Sequence, residues 1–314
     1  MPDGLCFVDF ALFVQQFKTQ LPKASQTGAV RLSQIQLRTA NRTNSPFSIL
    51  HSPFLMSTFL FDEIVFGPVR SRRLGVSLGI NLLPTECKYC NFDCIYCECG
   101  KNDLQKMKEK TLPTRPEIIT ALEQKLTMMQ QSGQLPDAIT FAGNGEPSIH
   151  PDFAEIIDDT VSLRNRYAPH SRISVLTNAT MLHREEIVEA LKKTDLPILK
   201  LDSAIESTIE LINQPAKKIP VAKRIEQLQS FGKQCIIQTM FLRGTYCGQT
   251  VDNVTPEELD AYERAIFAIR PAKVMVYTIA RNTPTDTLRK VSGDVLREIA
   301  GRIEKYGISV QVAE

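Results

Sequence analysis

Five of the chain's eight cysteines fall between residues 87 and 99: Cys87, Cys90, Cys94, Cys97 and Cys99. Thiols crowded into one segment of a long, otherwise cysteine-poor chain point to metal rather than to a disulfide framework. Zinc ribbons separate their CxxC pairs by a dozen residues or more. Here only Asn91, Phe92 and Asp93 lie between Cys87/Cys90 and Cys94/Cys97. A thioredoxin-type redox pair needs two thiols at a helix start, not five. The spacing Cys90-x3-Cys94-x2-Cys97 suits an iron–sulfur cube, whose irons lie close enough for one loop to wrap them. It supplies three ligands to a four-iron cluster. A fourth thiolate would complete an electron-transfer cluster, whereas three leave one iron open to a substrate or cofactor. Cys87 and Cys99 read as free loop thiols, with ligation as the alternative. The alternative for the whole run is zinc or inert thiols.

These thiols need a scaffold, and 314 residues suffice for one large domain or two ordinary ones. With 43% hydrophobic and 23% charged residues the chain can bury a core, which excludes a disordered tail protein. No uncharged apolar run is long enough to span a membrane. A net charge of +2 is not the footprint of a dedicated nucleic-acid binder.

Residues 1–55 differ from the rest. They hold five basic residues (Lys18, Lys23, Arg31, Arg38, Arg42) against Asp3 and Asp9, and residues 15–48 are rich in Gln, Ser, Thr and Asn without a period. The opening has no basic start, and Asp9 breaks its apolar run, so it does not read as a secretory signal. A transit peptide is a minor alternative. We expect residues 1–55 to be a disordered or non-native extension, with Met56 as the native start and residues 56–314 as the core domain.

From residue 60 the pattern alternates. Strands are expected at Leu74–Leu83, Asp137–Ala142, Arg172–Asn178, Pro197–Asp202, Gln234–Leu242, Lys273–Ile279 and Ile308–Val312. Helices are expected at Pro116–Gln131, Pro151–Arg166, Arg184–Lys193, Lys217–Phe231, Pro256–Ile269 and Ser292–Tyr306. The helix at Pro256 follows Thr255, with Glu258 placed for a capping box. Runs such as CIIQTMFL lack polar alternation, as strands buried on both faces do. The result is an α/β fold with a parallel sheet, open or barrelled, whose function sits on the loops after the strands.

Cys90-x3-Cys94-x2-Cys97 after the first strand of a β/α chain resembles the radical S-adenosylmethionine (SAM) superfamily, and the resemblance covers about residues 60–314. It implies a partial (β/α)6 TIM-like barrel, with Cys90, Cys94 and Cys97 on a [4Fe–4S] cluster. Tyr96 matches the aromatic that the superfamily places near the adenine. Gly143-Asn144-Gly145-Glu146-Pro147 is similar to the Gly-Gly-Glu segment that receives the amine of SAM, with Asn144 in place of the commoner glycine. Asn178, Asp202 and Ser203 end the third and fourth strands, where members place contacts to the SAM carboxylate or ribose. Asn178 reads equally as a turn residue and Asp202 equally as a helix N-cap. The runs FGPVRSRRLGVSLGINLLP and GNGEPSIHPDF are similar to the subfamily labelled wyosine-synthase-like Fe–S oxidoreductases. The wyosine-forming enzyme itself carries a second cluster on extra cysteines ahead of the triplet. Here only Cys6 and Cys87 precede Cys90, which argues against that activity.

The resemblance implies reductive cleavage of SAM to a 5′-deoxyadenosyl radical that abstracts hydrogen from a substrate. Gly143 and Gly145 would let backbone approach the ligand, and Glu146 would hold its ammonium by a charge-assisted bond. The cofactors implied are the [4Fe–4S] cluster and SAM. The partners implied are a flavodoxin- or ferredoxin-type reductant and a small-molecule, peptide or RNA substrate, in the cytoplasm. The alternatives within the superfamily are a radical-activating enzyme and an RNA-nucleoside-modifying enzyme. Outside it stand an electron-transfer protein without SAM and a zinc-stabilised binding module. No residue is singled out as catalytic. His150 reads as a helix-start residue, Cys235 as core and Cys247 as a loop thiol. Arg70, Arg72, Arg73, Arg281 and Asn282 read as solvated faces, with anionic-substrate binding as the alternative.

Overall fold

The computed structural model describes residues 59–71, 74–281 and 283–314. The extension at residues 1–55, the Met56 start, Cys6, Arg72, Arg73 and Asn282 lie outside them. β1 (Val65–Ser71) and β2 (Gly75–Ile80) form an antiparallel hairpin. There follow α1 (Leu104–Glu109), α2 (Arg115–Ser132), β3 (Ala138–Phe141), α3 (Phe153–Tyr167), β4 (Arg172–Thr177), α4 (Glu185–Lys192), β5 (Leu196–Lys200), α5 (Glu206–Asn213) and α6 (Val221–Gln229). The chain continues through β6 (Ile236–Met240), β7 (Leu242–Tyr246), β8 (Gln249–Asp252), α7 (Pro256–Ile269), β9 (Lys273–Tyr277), β10 (Leu288–Lys290), α8 (Gly293–Glu304) and β11 (Ser309–Ala313).

The main sheet runs β1-β2-β3-β4-β5-β6-β9-β11, and every pairing from β2 onward is parallel. It curls into a half-barrel. The seven strands expected from the sequence all lie in this parallel part, and antiparallel β1 forms one edge. β10, β7 and β8 make a small antiparallel sheet. Ala138–Phe141 is buried at every position, as a strand covered on both faces must be. In α2 the buried residues Ile118, Leu122, Leu126 and Met129 recur every three or four positions and form one apolar stripe. Burying each contributes about 1.5–3 kcal/mol.

Three expectations are corrected. The helix expected over Lys217–Phe231 starts only at Val221, because Pro220 turns Ile219 away from helical backbone. The shorter helix α5 precedes it. The strand expected over Gln234–Leu242 divides at Phe241, whose N–H bonds Tyr277 O, so that Leu242 enters the small sheet. At α7, Thr255 accepts from Glu258 N (3.3 Å), but the Glu258 carboxylate turns to Ser203 and Thr208, so half of the capping box forms. Cys235 is fully buried beside β6, and Cys247 is exposed, both as expected.

Candidate active site

The connection after β2 carries all five clustered cysteines, and backbone bonds tie it to the connection after β3. Tyr89 N donates to Asn144 O (2.7 Å), Glu146 N donates to Tyr89 O (3.2 Å), and Tyr89 and Gly145 pair as a parallel bridge. Gly145 serves this contact, and Gly143 makes room for Asn81. A Cβ at Gly145 would stand 1.9 Å from Tyr89 O, and one at Gly143 would stand 2.3 Å from Asn81 Oδ1. Both also hold positive φ, 148° and 156°. The close approach expected toward a ligand is thus made first to the cysteine loop itself. Asn144 is fully buried. Its Nδ2 donates to Phe61 O (2.9 Å) and Pro84 O (2.8 Å), and its Oδ1 accepts from Phe61 N (2.8 Å). A glycine there would lose all three bonds.

Glu146 is buried, and burial raises its carboxyl above the ordinary range against the hydrogen bonds that favour the anion. Its Oε1 accepts from Ser148 N (3.0 Å), Ser148 Oγ and Thr177 Oγ1 (2.6 Å), and its Oε2 accepts from Asn178 N (2.6 Å). The group expected to hold an ammonium is therefore a clasp between the ends of β3 and β4. Pro147 opens the short turn Pro147–Ile149 beside it. His150 lies just before α3, whose N-cap is Asp152, and its Nδ1 accepts from Asp152 N (3.1 Å).

Each of the thiols of Cys90, Cys94 and Cys97 meets donors of the chain. Cys90 Sγ accepts from Phe92 N (3.3 Å) and faces Asn178 Nδ2 at 3.7 Å. Cys94 Sγ accepts from Asn213 Nδ2 (3.4 Å). Burial pushes the Cys90 thiol up and the Cys94 thiol up to about 11. Cys97 moves the other way: a hydrogen bond with Cys99 lowers it against burial, and the Lys88 ammonium adds to the lowering. Lys88 is buried and donates to Asp93 Oδ1 (3.0 Å) and Gly100 O (3.0 Å), so its charge is locked inside the loop. Cys99 Sγ lies 3.6 Å from Gly143 O, and Cys87 is buried.

Asp202 forms the opposite wall. Its Oδ1 accepts from Met240 N (2.9 Å) and Lys200 Nζ (3.2 Å), and its Oδ2 accepts from Asn213 Nδ2 (2.6 Å) and Tyr96 Oη. Four donors surround this buried carboxylate, and the N-cap alternative does not describe it. The N-cap of α5 is Ile205. Lys200 also donates to Tyr277 Oη (3.0 Å) and lies over the rings of Tyr96 (5.1 Å) and Tyr277 (5.6 Å). Ser203 points elsewhere: its Oγ donates to Glu258 Oε2 (2.6 Å). Asn178 sits in a turn, as its alternative reading expects. Its Oδ1 accepts from Thr180 N (3.0 Å) in a turn, while its Nδ2 donates to Asn91 Oδ1 (2.7 Å) beside Cys90. Arg281 pairs with Glu98 of the cysteine loop, and Arg70 is exposed.

The structure thus brings Cys90, Cys94, Tyr96, Glu146, Asn178 and Asp202 into one connected network and leaves Ser203 outside it. Sequence reasoning missed Lys88, Lys200, Asn213 and Arg224. A lysine inside the apolar strand PILKLD was a readable signal, and Arg224 carried none. Among the described residues no three His, Cys, Asp or Glu side chains converge as ligands of one metal ion do. A four-iron cube asks for separated thiolates on different irons, and a loop with three hydrogen-bonded sulfurs fits that demand.

The family model described as the radical SAM superfamily matches residues 87–246. The chain belongs to the radical SAM superfamily. Members are enzymes that use a [4Fe–4S] cluster and SAM. A protein named GTPase Obg from Brachyspira hyodysenteriae is 30% identical over 234 residues, 74% of this chain and 32% of that protein. A UPF0026 protein of Methanocaldococcus jannaschii is 31% identical over 183 residues, 57% of this chain and 54% of that protein. The radical SAM chain therefore spans about a third of the first relative and about half of the second. A UPF0026 protein of Helicobacter pylori is 31% identical over 222 residues, covering 69% of this chain and 67% of that protein. Among solved structures, a radical SAM methyltransferase from Sphaerobacter thermophilus superposes with a TM-score of 0.56 at 12% identity, over 76% of this chain and 65% of that one. Streptococcus suis SuiB bound to its precursor peptide SuiA gives 0.53 at 13% identity, over 75% of this chain and 48% of that one. At such identities the likeness is one of fold.

Proposed function

We propose that Cys90, Cys94 and Cys97 hold a [4Fe–4S] cluster whose open iron takes SAM, and that the protein cleaves SAM reductively. The observation that carries this reading is a single loop at the C-terminal mouth of a parallel half-barrel, presenting three thiols with N–H or S–H donors on their sulfurs. When bound, the cluster and SAM supply a one-electron reduction of the sulfonium and a 5′-deoxyadenosyl radical for hydrogen abstraction.

The chain's own residues do the holding. Phe92 N, Asn178 and Asn213 direct hydrogen bonds at the sulfurs and favour the thiolate. Asn144 and the Tyr89–Gly145 bridge fix the loop against β3. In this reading Gly143 O, engaged among the described residues by the weak thiol donor of Cys99, is the acceptor for the amine of SAM. Tyr96 keeps its ring beside the site through its bond to Asp202, and Glu146 orders the strand ends around it. A flavodoxin- or ferredoxin-type carrier supplies the electron. The GTPase name of the Brachyspira relative does not transfer, because this sequence contains no GxxxxGK[ST] phosphate loop.

The test is anaerobic reconstitution with iron and sulfide, then addition of SAM and dithionite and assay of 5′-deoxyadenosine by mass. Wild type and the Cys87→Ala and Cys99→Ala variants are expected to form product, and Cys90→Ala, Cys94→Ala and Cys97→Ala are not. Loss of the cluster on replacing Cys87 or Cys99 would move the assignment to a four-thiolate electron-transfer centre.

A further inference from the structure

The buried charges around the cysteine loop are matched with one exception. Lys88 has Asp93, Lys200 has Asp202, and Glu146 has four donors. Arg224 of α6 is 4% exposed and has no carboxylate partner among the described residues. Its Nη2 makes two long bonds, to Asn178 O (3.3 Å) and Lys200 O (3.5 Å), and its buried Nε has no partner among the described residues. Its guanidinium lies 5.2 Å over the ring of Phe92, between two of the ligand cysteines. The acidic groups whose charge reaches it are Asp202, Cys94 and Tyr96, and Asp202 is already committed to Lys200.

A buried cation without a carboxylate is costly, because burial removes its hydration and two long carbonyl bonds replace only part of it. Such a group belongs to a site whose negative charge arrives with a ligand. A four-iron core held by three thiolates is an anion and becomes more negative on reduction. We infer that Arg224 is the fixed counter-charge of the cluster, seated behind the Cys94 side of the loop, and that it favours the reduced state. This rests on the cluster assignment above. A nearby positive charge raises a cluster's potential, since net charge and local polarity set it. Arg224 is thus a positioning charge and not a catalytic residue, and its cost is borne by the cluster-free protein.

The experiment compares wild type, Arg224→Met and Arg224→Lys as purified full chains. Each is melted without cluster, then reconstituted with iron and sulfide and titrated against potential by EPR in the absence of SAM. At the wild-type midpoint, the Met variant is expected to hold about one tenth as much reduced as oxidised cluster, a shift of about 59 mV for one electron. The Lys variant is expected to regain most of this. Without cluster, the Met variant is expected to melt at or above wild type, because an unpaired charge is gone. An unchanged midpoint in a fully loaded Met variant would overturn the inference. So would a cluster-free Met variant that is unfolded or less stable than wild type. A Met variant that folds but takes up no cluster, beside a Lys variant that does, supports it, and equal loss in both overturns it. Weaker SAM binding with an unmoved midpoint would assign the guanidinium to SAM and also overturn it. A wild-type protein that forms no four-iron cluster fails the cluster assignment before any variant is compared.

Discussion

Tyr89 and Gly145 face each other across a single parallel bridge, and the space between them is too small for a methyl group: a Cβ on Gly145 would stand 1.9 Å from the Tyr89 carbonyl oxygen. The Gly-rich connection after β3 therefore acts on the cysteine loop before it acts on any ligand. Its geometry and that of the thiols are one structure.

Gly145→Ala should displace the loop. The residue holds φ at 148°, where a side chain costs about 1–3 kcal/mol, and the collision with backbone adds to that. The expected outcome is less iron bound per chain after reconstitution and a lower urea midpoint. Gly301→Ala is the control. A Cβ there meets nothing within 4 Å, and the position lies inside α8, so it should gain about 0.5–1 kcal/mol with iron binding unchanged.

Lys200 and Asp202 form an ion pair whose side chains are 15% and 0% exposed. Lys200→Met leaves the carboxylate buried without its cation and should cost about 3–5 kcal/mol in urea unfolding. Adding Asp202→Asn should restore much of that loss, so the double variant should be more stable than the sum of the single effects. Additive losses would mean that the two charges are not coupled.

Glu258 offers a pH test away from the cysteine loop. Burial raises its carboxyl, against the bonds from Ser203 and Thr208 that lower it. The folded protein therefore holds the proton more tightly than the unfolded chain. The stability this contributes is present below the unfolded glutamate value, about 4.3, and is lost as pH rises toward the raised folded value. Glu258→Gln should flatten that part of the stability profile, measured as the urea midpoint across mildly acidic pH. An unchanged slope would remove Glu258 as its source.

The alternation of strands and helices was readable because Val- and Ile-rich runs and helix starts such as Thr255-Pro256 are local signals. β1 was not readable: Gly67 and Pro68 interrupt it, and only its pairing with β2 makes it a strand. The β7–β8 hairpin turns at Cys247-Gly248, where the sequence offers loop residues. At the site, the thiol spacing announced its chemistry, whereas the partners of Asp202 did not. Tyr96 comes from the cysteine loop and Asn213 from the end of a helix the pattern did not reveal. Residue type told that Asp202, Glu146 and Asn144 matter, and only the fold told that each is spent on its neighbours.

The cysteine loop, drawn from residues 87–100, is held by Gly145, Asn178 and Asn213. Those anchors lie on chain made later than the thiols themselves. During synthesis the cysteines thus leave the ribosome well before the seat that shapes them exists, because contacts of large sequence separation close last. A nascent chain ending short of Asn213 has the sulfurs of Cys90, Cys94 and Cys97 and lacks the donor to Cys94. Iron delivered at that moment meets a flexible peptide of thiols, and iron delivered after β5 and α5 have joined the half-barrel meets a formed socket. The order of residues along the chain thus sets the earliest time at which the metal centre can be built correctly.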